Sequence, residues 1–164
     1  MNARILLSLV LAGLLCVSAG CSRDKGDKRG LHRPRLGGTL VQLGDHAAHM
    51  EFVHDAKTGD LTAHIVDAKA ATRVRLTQET ISLTLISREG DDATGQLVLG
   101  AVDDPTLGEK RGDASQFAAA SDFLKGRARF DVIVAEVNIG ERSFIDVAFS
   151  FPEGNENTTV TPAD

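Results

Sequence analysis

Between residues 46 and 67 the chain reads HAAHMEFVHD, AKTGD, LTAHIVD, with apolar residues at every second position on either side of a glycine-containing turn. Successive side chains of a strand point to opposite faces, so a period of two over runs of this length specifies a half-buried β-hairpin. Ala48, Met50 and Phe52 then share one face with Leu61, Ala63 and Ile65, while His49, Glu51, Val53, Thr62, His64 and Val66 share the other, outward one. Similar short runs occur at residues 38–43, 80–89, 96–102, 127–139 and 143–151, separated by segments rich in Gly, Asp and Asn. In the run 127–139 the series Phe130, Val132, Val134 and Glu136 falls on one face.

Residues 115–126, with Ser115 as an N-cap, Ala118 to Ala120 as helix formers and Gly126 as a stop, predict one short helix. Three hairpins, a leading strand and this helix make a mainly β chain, and the expected architecture is an immunoglobulin-like antiparallel β-sandwich of about seven strands. A competing local reading caps a helix at Asp45, runs it through HAAHMEFVHDAK and ends it at Gly59, because Ala, Met and Glu favour helix. The β-domain is expected over residues 37–151, followed by a polar tail over 152–164 with nothing to bury.

The first 21 residues, MNARILLSLVLAGLLCVSAGC, carry a basic start at Arg4, an apolar run from Ile5 to Val17 and small residues before Cys21. That is the three-part pattern of an export signal, and its apolar core is shorter than the roughly 20 residues a spanning helix needs. Ser18, Ala19 and Gly20 before Cys21 resemble the lipobox of bacterial lipoproteins, with Ser18 standing where that family prefers Leu. The resemblance implies that residues 1–20 are removed, that Cys21 is lipidated and that the chain hangs from the bilayer facing the periplasm. Ser22, where an Asp would signal inner-membrane retention in that family, implies the outer membrane. Cys16 lies within the signal, so no disulfide is expected in the mature domain.

Charge divides the mature chain. Residues 22–36 carry six basic and two acidic side chains, whereas residues 37–164 carry 11 basic and 21 acidic ones. The first stretch, with Cys21, reads as a basic flexible tether whose Lys and Arg are attracted to anionic headgroups. The acidic domain argues against nucleic acid as a partner. Seven Phe with no Trp or Tyr provide no aromatic platform of the kind that suits sugars.

Four of the five histidines fall between residues 46 and 64. With Glu51 opposite His64 in the hairpin, His49, Glu51 and His64 form the candidate metal set, and imidazole with carboxylate suits Zn²⁺ or Cu²⁺. His46 and His54, an odd number of residues away from His49, are expected on the opposite face. Asp91 with Asp92, and Asp103 with Asp104, lack the alternating spacing of a calcium loop and read as solvated turns. The chain has no G-x-S-x-G, H-E-x-x-H or P-loop motif, so a non-enzymatic role is expected.

The stretch GGTLVQLGDHAAHMEFVHDAKTGDLTAHIVDAKA, with Gly37, Gly38, His46, Glu51, Asp55, Gly59, Leu61 and Asp67 and the later SQF at 115–117, resembles small bacterial periplasmic lipoproteins found near heavy-metal efflux components. The His cluster and the acidic charge together point to a binding module, for a transition metal or for a partner of an envelope or efflux assembly. The alternative role is a structural lipoprotein that docks on an envelope protein through a sheet edge, with no metal site.

Overall fold

The computed structural model describes residues 32–155; the signal, Cys21, most of the basic segment and the end of the tail lie outside the described residues. Eight strands follow one another: β1 (Thr39–Leu43), β2 (Ala48–Asp55), β3 (Asp60–Asp67), β4 (Thr80–Ser87), β5 (Thr94–Ala101), β6 (Gln116–Ala120), β7 (Phe130–Ile139) and β8 (Arg142–Phe151). The alternation at residues 46–67 gives the hairpin β2–β3, in which Met50 pairs with Ile65, Glu51 with His64 and Phe52 with Ala63. The helix capped by Asp45 does not form, because a strand in this register buries Met50, Phe52, Ala63 and Ile65 together.

The mainly β expectation holds, but the strands do not divide into the two sheets of a sandwich. All eight belong to one antiparallel sheet in the order β1-β2-β3-β6-β5-β4-β7-β8. The sheet curls almost into a barrel, bringing β1 back beside the end of β8. A single core of Val41, Leu43, Met50, Phe52, Leu83, Leu99, Phe117, Phe130 and their neighbours fills the inside. Eight strands curled this far enclose a space that side chains alone can fill, so the sheet buries one apolar face while β1 and β8 remain its two end strands.

The expected helix at 115–126 is the second correction. Its first half is β6, whose Ala118 and Ala119 pair with Thr62 and Leu61 of β3, and only Asp122–Leu124 makes a helical turn, of the 3₁₀ type, capped by Ser121. The helix propensity of three alanines, a few tenths of a kcal/mol each, yields to the ladder hydrogen bonds that β3 and β5 offer on either side. In β7 the inward series also changes. Phe130, Val132 and Val134 point into the core but Val137, not the exposed Glu136, continues the buried set, and facing this step β8 holds Asp146 in the left-handed region (φ 50°).

The seam between β1 and β8 is made by residues the composition assigns to the tail. Asn155 acts as a strand partner: its Oδ1 accepts the Gln42 N–H at 2.7 Å and its Nδ2 donates to the Gln42 carbonyl at 3.1 Å. Thr39 donates its hydroxyl to the Pro152 carbonyl. Gly154 lies so close to β1 that a Cβ there would sit 2.4 Å from the Leu40 carbonyl oxygen, so only glycine fits. Asn155→Ala strips two bonds from the seam at once, and we expect a loss of about 1–3 kcal/mol in urea unfolding; an unchanged midpoint would mean the seam does not depend on that amide.

Candidate metal centre

The outward face of β2 is not exposed. His49 is fully buried and Glu51 is 2 % exposed, because the arm of residues 32–38 crosses over them before β1 begins. A carboxylate taken out of water must be matched by donors. Glu51 meets three: its Oε2 accepts the Arg35 N–H at 2.9 Å, and its Oε1 accepts those of Leu36 at 2.6 Å and Gly38 at 3.1 Å. Gly38 lets the arm come this close, since a Cβ there would lie 2.3 Å from the Phe52 carbonyl oxygen. Arg35 also extends its guanidinium to the Ala71 carbonyl, which ties the arm to the loop after β3.

This crossing carries His32 to His49. The ring centroids of His32 and His49 are 4.7 Å apart, those of His32 and His46 5.7 Å, and those of His46 and His49 6.0 Å. One ring nitrogen from each of the three lies within 4.8 Å of the others. Each comes from a different local structure: His32 from the arm, His46 from the β1–β2 turn with a left-handed φ of 50°, and His49 from β2 itself. The expectation that His46 faces away from His49 fails because the rule of alternation stops at the end of the strand, and the turn folds His46 back over β2.

Hydrogen bonding sets one tautomer. His49 Nδ1 stands 3.2 Å from the Asp67 carbonyl oxygen, an atom that only accepts, so Nδ1 carries the proton and Nε2 the lone pair. His32 Nδ1 and His46 Nδ1 are shut off from solvent and meet no hydrogen-bond partner among the described residues. Zn²⁺ binds imidazole nitrogen at about 2.0–2.1 Å, which spaces tetrahedral ligands roughly 3.4 Å apart, so the rings would draw in by little more than about an ångström to hold one. Three imidazole nitrogen donors with no sulfur suit Zn²⁺ or Cu²⁺, and a fourth position would be left for water or another ligand.

Glu51 and His64 are cross-strand partners, as the sequence suggests, but the structure groups His49 with His32 and His46 instead. The Glu51 oxygens are engaged by the arm. His64 is half-buried on β3, with Arg73, Glu51 and Glu109 as its charged neighbours. His54 lies edge-on to Phe130 and Phe151, with centroids 5.2 and 5.4 Å away. The paired aspartates serve their own turns: Asp91 binds Arg127, Asp103 accepts the Arg111 N–H and Asp104 that of Thr106. His32 was outside the set read from sequence because it lies in the basic segment. The pair Gly37-Gly38 ahead of the first strand, which permits a close backbone crossing, was the available signal.

Comparison of the chain with protein-family models, with curated proteins and with solved structures finds no match in any of the three.

Two expected outcomes test this geometry. Replacing Glu51 by Ala leaves three arm N–H groups without their acceptor, and should cost on the order of 3 kcal/mol in unfolding free energy; a loss below about 0.5 kcal/mol, a typical surface effect, would contradict the clamp. Burial holds the imidazoles of His54 and His64 below their ordinary value of 6.5, with Arg73 adding to the effect at His64. The unfolded chain therefore takes up these protons first. The stability due to the neutral rings is full above about pH 6.5 and lost as pH falls through the folded-state values. Proton NMR should show both rings titrating below 6.5, and a midpoint above it for either would contradict the burial.

Proposed function

We propose that this chain is a membrane-anchored, non-enzymatic module of the bacterial envelope that binds a divalent transition metal, Zn²⁺ or Cu²⁺, through His32, His46 and His49. The observation that carries the metal reading is the convergence of three imidazoles from three separate chain segments, with one ring nitrogen of each within 4.8 Å of the others; His32 and His46 each also bury an Nδ1 that meets no partner among the described residues. Burying a nitrogen lone pair without a hydrogen bond is costly, and an ion at the centre of the three would offset that cost. The acidic domain adds a weak general attraction for cations.

The anchor rests on the sequence: the export-signal pattern ending at Cys21 and the basic residues after it. Among the described residues no helix is long and apolar enough to cross a membrane. Docking through a sheet edge, the other role, has little to work with at β1, where the Gln42 N–H and carbonyl are both taken by Asn155.

Isothermal titration of the full chain in detergent with ZnCl₂ or CuCl₂ should give one ion per chain. Removing a group that merely orients a metal ligand lowers affinity about 10–100-fold, and His46→Ala, which removes a ligand, should lower it at least that much. His64→Ala should leave affinity within about twofold, being outside the three-ring set. No heat at tens of micromolar protein, or equal affinity in the His46 variant, would overturn the reading.

A further inference from the structure

The arm is fastened to the barrel at two places of different kinds. The inner fastening is complete within the chain: Glu51 accepts the N–H groups of Arg35, Leu36 and Gly38. The outer one is His32, three residues upstream, whose ring contacts are with His46 and His49. Between the two lie Arg33, which is exposed, and Pro34, which has no N–H to donate. Imidazole rings that share no hydrogen bond hold each other weakly, whereas a common metal ion holds them by three coordinate bonds.

We infer that the metal ion is a staple for this arm, so that its occupancy sets whether residues 32–34 are held on the barrel. This rests on the metal reading above. With the ion bound, His32 is fixed to β2 and to the β1–β2 turn. Without it the Glu51 clamp is the last firm hold among the described residues, and the arm is secured only from residue 35 onward.

Coupling of this kind is reciprocal: whatever holds the arm also raises metal affinity. Glu51 thus acts as a positioning residue for the centre without touching the ion, and Glu51→Gln, which keeps one acceptor oxygen and none of the charge, should weaken zinc binding while His64→Ala does not.

The test is ¹⁵N relaxation of the full-length chain in detergent micelles, with and without one equivalent of ZnCl₂, beside a zinc titration on the same sample. Zinc should raise the heteronuclear NOE of the Arg33 amide to the level of β2 amides, and leave those of Leu36 and Gly38 unchanged because Glu51 already holds them. In His32→Ala, zinc should bind about tenfold or more weakly and leave Arg33 unaltered. One zinc bound per chain with no change at Arg33 overturns the staple and leaves the metal reading standing. Absence of zinc binding overturns both.

Discussion

A single buried carboxylate organises the functional end of this barrel. Glu51 occupies the face of β2 that alternation assigns to solvent, and its burial there is matched by three backbone N–H groups of the arm that point at it. The dependence runs both ways. Without the carboxylate the arm would have no acceptors for those donors, and without the arm the carboxylate would face water. Because the arm crosses here, His49 becomes fully buried and His32 is delivered beside it.

The rest of the barrel supplies rigidity for that crossing. β2 is bonded on one side to β1 and on the other to β3, and its inward residues Met50 and Phe52 lie in the common core. A ligand on such a strand is held more accurately than one on a loop. Closure at the seam matters for the same reason: Asn155 secures β1, and the β1–β2 turn that carries His46 starts from β1. The candidate centre thus combines one imidazole from a fixed strand, one from a short turn and one from an arm.

Local pattern made part of this legible. The strands, the hairpin register Glu51 to His64 and the inward face of β2 and β3 follow from the period of two and a short turn, which are properties of neighbouring residues. Closure into one sheet was not legible, since it depends on β3 pairing with β6 and β4 with β7, each across two intervening strands. The alanines of β6 read as helix for the same reason: their β3 partners lie 56 to 60 residues earlier in the chain. Within the centre, His49 was readable and its companions were not. His46 leaves the strand pattern through a left-handed turn, and His32 sits in a stretch whose charge and glycine content read as a tether. Its place depends on hydrogen bonds to a residue 13 to 16 positions beyond the donors.

A metal-held arm requires three imidazoles to hold one ion. X-ray absorption at the zinc edge, on the full-length protein loaded with one equivalent, reads the ligands directly. The predicted spectrum has nitrogen or oxygen neighbours at about 2.0–2.1 Å and outer-shell scattering from three imidazole rings. A sulfur neighbour at about 2.3 Å would place the ion on a cysteine instead, and fewer than two rings would show that His32, His46 and His49 do not act together.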